Sequence, residues 1–332
     1  MDVVFILTIL VVIFALGFDF INGFHDTANA IATSVSTRAL PPRIAVMLAA
    51  IMNFVGALTF TGVAKTISKD IVDPFMLEKG SLVILSALVA AIAWNLITWY
   101  FGIPSSSSHA LIGSIAGAAI SAAGFAVLNY DGFLKILQAL LISPFLALGV
   151  GFLMMSLFKV MFKKNNLYRT NKGFRIFQIG TAALQSFTHG TNDAQKAMGI
   201  ITLALVAANL QTGDDIQTWV RVSCALAMGL GTSIGGYKII KTVGGKIMKI
   251  RPVNGAAADL SSALIIFGAT TIHLPVSTTH VISSAIMGVG SAQRVKGVKW
   301  GVARKIVLTW IITLPICAAI AALTFKILNL FL

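Results

Sequence analysis

The chain has 332 residues, of which 57% are hydrophobic and 11% charged, with a formal net charge of +14. A soluble domain carries about 25% charged residues, so this composition excludes an ordinary globular domain and leaves no polar stretch for an attached catalytic one. The basic excess does not read as a nucleic-acid surface either, because most of the Lys and Arg fall in four acid-free clusters: Arg38 with Arg43, Lys159 to Arg175, Lys238 to Arg251, and Arg294 to Lys305.

The elements follow in chain order. Apolar runs of about 20 residues cross a hydrocarbon core about 30 Å thick. Cytoplasmic connections are enriched in Lys and Arg, so the four clusters mark the inner face, with anionic-lipid contact as a secondary role. Asp2 precedes the first run and no basic residue occurs before Arg38. Residues 3–20 are therefore expected to stay as a spanning helix, not to be cleaved as a signal. Residues 44–64 then run outward to a connection carrying Asp70, Asp73 and Glu78. Residues 82–101 run inward, 110–126 outward past Asp131, and 133–158 inward. The second half leaves the basic loop at 176–208 and reaches Asp214 and Asp215 outside. It continues inward at 219–240, outward at 259–271, inward at 276–288 and outward at 306–325. The expectation is an all-α, multi-pass plasma-membrane protein with both termini outside. Residues 1–158 and 176–332 form its two halves, and a basic cytoplasmic loop, 159–175, joins them. Cys224 and Cys317 lie in apolar runs without metal-binding spacing and read as buried free thiols.

Two motifs recur in the same order. Phe20-Ile-Asn-Gly-Phe-His-Asp-Thr-Ala-Asn-Ala30 aligns without gaps to Phe187-Thr-His-Gly-Thr-Asn-Asp-Ala-Gln-Lys-Ala197. Ile103-Pro-Ser-Ser-Ser-Ser-His109 aligns to Leu274-Pro-Val-Ser-Thr-Thr-His280, and Gly117 and Gly288 fall in the same register. The basic clusters give the two copies opposite orientation. This predicts an inverted-topology repeat with broken or re-entrant helices, which places a transporter's binding site at the repeat interface near the midplane.

Charged side chains within lipid cost about 2.5–3.5 kcal/mol even on gentle scales, so intramembrane ones are functional candidates. Asp26 and Asp193 stand out because they occupy equivalent repeat positions. Asp19 and Asp259 do not, and read equally well as packing residues. Around the pair lie oxygen ligands: Asn22, Thr27 and Asn29 in one copy, Gln185, Thr188, Thr191, Asn192 and Gln195 in the other. One carboxylate among neutral oxygens suits a monovalent cation. Gly23 and Gly190, three residues before each Asp, are expected to let the helix break and expose carbonyls. Pro104 and Pro275 suit the first turn of a new helix. They place Ser105, Ser106 and Ser107, and Ser277, Thr278 and Thr279, at helix N-termini, where free N–H groups and hydroxyls favour an anion. Simple N-capping is the plainer account of any one such Ser. Lys196, the only basic residue within a motif, reads as an anion contact, a snorkelling side chain or a partner of an Asp.

On these residues the chain resembles the inorganic phosphate transporter (PiT) family, its bacterial branch most closely. The resemblance rests on Asn22-Gly-Phe-His-Asp-Thr-Ala-Asn-Ala30, on His189-Gly-Thr-Asn-Asp-Ala-Gln-Lys-Ala-Met-Gly199 and on the paired Pro-Ser/Thr-His motifs, and it covers nearly the whole chain. It implies inverted repeats with re-entrant segments, no prosthetic group and a homodimer. It also implies phosphate import by symport, for which Na+ is the first expectation and proton-coupled phosphate or metal-phosphate symport the alternative. The family-wide Asn-Asp pair reads His25-Asp26 in the first copy, and the second departs at Gln195-Lys196. The sodium set expected is Asn22, Asp26, Asn29, Gln185, Asn192 and Asp193. The phosphate set is Thr27, Ser105, Ser106, Ser107, Asn192, Ser277, Thr278 and Thr279. Sulfate is the competing substrate. It carries no proton to donate to a carboxylate, whereas phosphate near neutral pH does. A different class, a membrane metal site on His25, Asp26, His109, His189 and His280, lacks any His-Glu-x-x-His spacing.

Overall fold

The computed structural model describes residues 3–72, 77, 79–164 and 166–331; Asp73 and Glu78 lie outside these. The described residues form twelve α-helices and no β-strand. They are α1 (Val3–Ser36), α2 (Pro42–Ala57), α3 (Gly62–Asp70), α4 (Gly80–Phe101), α5 (Ser107–Ala123), α6 (Tyr130–Met161), α7 (Leu167–Ala207), α8 (Thr218–Ile234), α9 (Tyr237–Gly245), α10 (Pro252–Thr271), α11 (Thr278–Arg294) and α12 (Trp300–Leu328).

The second six helices reproduce the first six in order and kind. The pair α2–α3 bends by 68°, and α8–α9 breaks at Gly235, which takes a left-handed φ of 72°. Helices α5 and α11 both have 17 residues and start behind a capping Ser, Ser106 or Ser277. Each is followed by a short 3₁₀ turn. Helices α6 and α12 each carry an internal proline, Pro144 and Pro315. Even the stop before the Pro-Ser motif repeats. Gly102 ends α4 at φ 65°, and His273 occupies the matching place after α10 at φ 61°. In both, the next amide bonds back to the last turn, Ile103 to Thr98 and Leu274 to Ala269. Left-handed backbone suits glycine, so His273 holds this stop against its own side chain.

Packing interleaves the two halves. α5 lies on α12 and α11 on α6. The close approaches are made at glycines: a Cβ on Gly117 would strike the Ala318 backbone, and one on Gly288 would strike that of Leu148. Both hydrophobic cores draw on both halves. Large apolar residues face outward instead, such as Phe145 at 76% exposure and Ile311 at 65%, while Asp26 and Asp193 are buried. This inside-out distribution, with helices long and apolar enough to cross a membrane at α1, α4, α6, α10 and α12, makes the chain a multi-pass membrane protein.

Three expectations change. Neither residues 44–64 nor residues 219–240 form one straight helix, because the chain turns between Ala57 and Gly62 and α8 ends at Ile234 before α9 starts at Tyr237. Residues 167–175 are helical and not loop: Asn166 caps α7 by accepting from the amides of Tyr168 and Arg169. Nor do Gly23 and Gly190 break their helices. α1 and α7 run unbroken through both, and these glycines instead admit a neighbouring backbone, Met228 of α8 at Gly23 and Asn53 of α2 at Gly190.

Candidate functional site

The site lies where α1 and α7 meet the starts of α5 and α11. Asp26 on α1 and Asp193 on α7 are both fully buried. One carboxylate oxygen from each, with a ring nitrogen of His189, lies within 4.8 Å of the others. Two carboxylates so close repel by about 3 kcal/mol at an effective dielectric of about 20. Cations or donors must therefore compensate them.

The donors come from the Pro-Ser motifs. Ser107 Oγ donates to Asp26 Oδ2 at 2.6 Å, Thr279 Oγ1 to Asp26 Oδ1 at 3.0 Å, and Thr278 Oγ1 to Asp193 Oδ2 at 3.3 Å. Asp26 thereby joins α1 to both helix starts. His25 contacts Asp26 Oδ1 through Nδ1 at 2.7 Å, and its Nε2 faces Thr98 Oγ1 at 3.1 Å. Across the site, Asn22 Nδ2 donates to Asp193 Oδ2 at 3.2 Å, and Asn29 Nδ2 to Thr279 Oγ1 at 2.9 Å. The carbonyl oxygens of Asn22 and Asn29 are buried without a partner among the described residues. Such acceptors beside a carboxylate fit a small cation. Lys196 Nζ lies 2.8 Å from Asp193 Oδ1.

The remaining expected ligands divide. Ser106 and Ser277 are caps: their hydroxyls accept from the amides of His109 and His280, at 3.1 and 3.3 Å. Ser105 stands behind the site, 2.8 Å from Thr98 Oγ1. Asn192 clamps the segment leading to α11, donating to Thr270 Oγ1 and the Leu274 carbonyl and accepting from the Val276 amide. Thr27 and Gln185 are not brought into the cluster. Thr27 Oγ1 pairs with Thr232 and Asn53, and Gln185 Oε1 accepts from Ser262. Asp259 accepts from Thr33 and Thr181, whereas both oxygens of Asp19 are buried without a partner among the described residues.

The histidines do not converge on one centre. His109 stacks on His280 with ring centroids 4.4 Å apart, and His280 stacks on Trp310 at 3.9 Å. His189 Nδ1 is 2.9 Å from Asn53 Oδ1. Asn53 has no place in the repeated motifs. An amide within the apolar run 44–64 was its signal, by the same cost argument that singles out the aspartates.

A bundle that is apolar outside and gathers buried carboxylates, amides and hydroxyls at two helix starts has the build of a membrane transporter for small ions. Residues 22–321 match the model of the Phosphate transporter family, and the chain belongs to that family. It is 72% identical to the "Probable low-affinity inorganic phosphate transporter" of Bacillus subtilis (strain 168), over 99% of both chains. It is 44% identical to the protein of the same name in Rhizobium meliloti (strain 1021), over 94% of this chain and 93% of the relative. A solved structure named "The sodium-dependent phosphate transporter" superposes with a TM-score of 0.88 at 27% identity, covering 98% of this chain and all of that one. The protein is a membrane-embedded phosphate transporter and not an enzyme.

Proposed function

We propose that the protein imports inorganic phosphate by symport with a cation, sodium first. The single observation that carries this reading is the buried Asp26–Asp193–His189 cluster at the starts of α5 and α11. In the described arrangement the carboxylates engage the motif hydroxyls. A cation bound at Asp26, with the free carbonyl oxygens of Asn22 and Asn29, would neutralise the carboxylate. Ser107, Thr278 and Thr279 would then be free to donate to a phosphate oxygen, with the positive ends of α5 and α11 behind them. Bound cation lowers the cost of bringing the anion into the membrane, and that is the coupling. The likeness to a sodium-dependent phosphate transporter supports sodium.

Proton coupling is the second reading, favoured by one observation: an ammonium already occupies one side of Asp193. Proteoliposomes with imposed gradients separate the two. Uptake driven by an inward sodium gradient at equal pH supports the first reading, and uptake driven only by a proton gradient supports the second. Indifference to both gradients would end symport altogether. Excess sulfate blocking uptake as well as unlabelled phosphate does would count against phosphate selectivity.

The same proposal includes opposite orientation of residues 1–158 and 176–332, for which the matched helix order and the acid-free basic clusters speak. It puts the short α6–α7 connection in the cytoplasm of a plasma-membrane protein. A homodimer rests on the family resemblance alone, and light scattering of the solubilised protein tests it.

A further inference from the structure

Asp26 and Asp193 match in sequence position, in burial and in one hydroxyl partner at an equivalent place, Ser107 for Asp26 and Thr278 for Asp193, but not in charge environment. Three residues after Asp26 stands Asn29; three residues after Asp193, in the same register, stands Lys196. Asn29 leaves its carbonyl oxygen free in the site. Lys196 instead places Nζ 2.8 Å from Asp193 Oδ1. It is 1% exposed and ranks among the largest fully buried side chains. Orientation on the inner face and snorkelling both require the ammonium to reach water, and it does not. An unpaired buried ammonium is unstable in so dry a place, and Asp193 is its only salt-bridge partner among the described residues.

We propose that Lys196 is a tethered counter-cation. At Asp193 it takes the place that a mobile cation takes at Asp26, and so removes one cation from the transport stoichiometry. The inference rests on the symport reading given above and deepens it. Two carboxylates and one fixed ammonium leave a single negative charge for a mobile cation to neutralise. Without the ammonium the same pocket carries two, and a phosphate could be held only with a second mobile cation.

The experiment compares wild type with Lys196→Asn, which recreates the Asn29 arrangement, Lys196→Met, which keeps length without charge, and Lys196→Arg, which keeps the charge. Two quantities are read in proteoliposomes: the net charge moved per phosphate, from the reversal potential, and the order of uptake in the coupling cation. Wild type and Lys196→Arg are expected to show an order of about one, and Lys196→Asn and Lys196→Met about two, with one more positive charge moved per phosphate. Where a variant folds but does not turn over, phosphate-induced thermal stabilisation across a cation series reads the same order from binding.

Unchanged order and unchanged charge in both neutral variants would overturn the proposal. So would a weakened phosphate affinity at constant order, the mark of a lysine that holds the anion itself. Failure of the symport reading looks different, because wild-type uptake would then ignore both gradients whatever residue 196 is.

Discussion

Lys196 and Asp193 form an ion pair of 2.8 Å one helical turn apart on α7, with neither side chain more than 1% exposed. Removing one partner of such a pair strands the other, at a cost of about 3–5 kcal/mol. Asp193→Asn should therefore lower the thermal midpoint in detergent far more than Asp26→Asn, because no lysine or arginine is paired with Asp26 among the described residues. The double change Asp193→Asn with Lys196→Asn should recover most of that loss, and a double-mutant cycle measures the coupling. Additive losses would mean that the pair is not coupled. Both aspartate changes should still cut coupled uptake at least about tenfold, or about 1.4 kcal/mol, while Asp19→Asn should do much less.

Adjacent serines at the start of α5 have separable tasks. Ser106 accepts from the His109 amide as a helix cap, and loss of a cap costs about 0.5–2 kcal/mol of stability. Ser107 instead donates to Asp26. Ser106→Ala should show mainly in the melting midpoint and Ser107→Ala mainly in phosphate uptake at equal expression. The reverse pattern would reassign the two hydroxyls.

Gly288 and Gly149 give a packing contrast across the α6–α11 contact. A methyl group on Gly288 meets the Leu148 backbone, whereas one on Gly149 meets nothing within 4 Å. Gly288→Ala should destabilise by about 1–3 kcal/mol through overpacking. Gly149→Ala should be neutral or stabilising by up to about 1 kcal/mol through helix propensity. Thermal unfolding of the two purified variants decides it.

His273 stands at φ 61° where the first half uses Gly102. Left-handed backbone strains a residue with a Cβ by about 1–2 kcal/mol, and glycine's greater freedom when unfolded returns part of that. His273→Gly should raise stability by about 0.5–1 kcal/mol. A loss would show that the ring's contact at Gly62 outweighs the strain.

Much of this architecture is legible in the chain. The duplicated Phe-Gly-Asp-Ala and Pro-Ser/Thr-His motifs locate the elements that converge, intramembrane cost marks the buried aspartates, and their equivalent repeat positions single out Asp26 and Asp193. Other features are hidden for identifiable reasons. The turn between Ala57 and Gly62 leaves an apolar run uninterrupted, so hydropathy passes over it; it passes over the equivalent break within 219–240 as well, although Gly235 and Gly236 stand there. Gly23 and Gly190 look like helix breakers because glycine suits two purposes, flexibility and close approach, and only the neighbouring helix reveals which one applies. Basic residues 167–175 resemble a loop by charge, yet the cap at Asn166 makes them helix. Thr27 and Gln185 lie in the right motifs but rotate towards other helices, a matter of helical phase that motif membership does not contain.

The crossed packing of α5 on α12 has a consequence for biogenesis. α5 is complete at Ala123, but its partner starts only at Trp300. At about 5–20 residues per second, a ribosome needs roughly 10–35 s to bridge that interval. Throughout it, a short helix with buried Ser and His has α4 and α1 beside it but lacks the α12 surface that covers its other side. A nascent chain halted before Trp300 is expected to be cleared by membrane proteases, and pulse-chase labelling of the truncated chain against the full one shows whether it is.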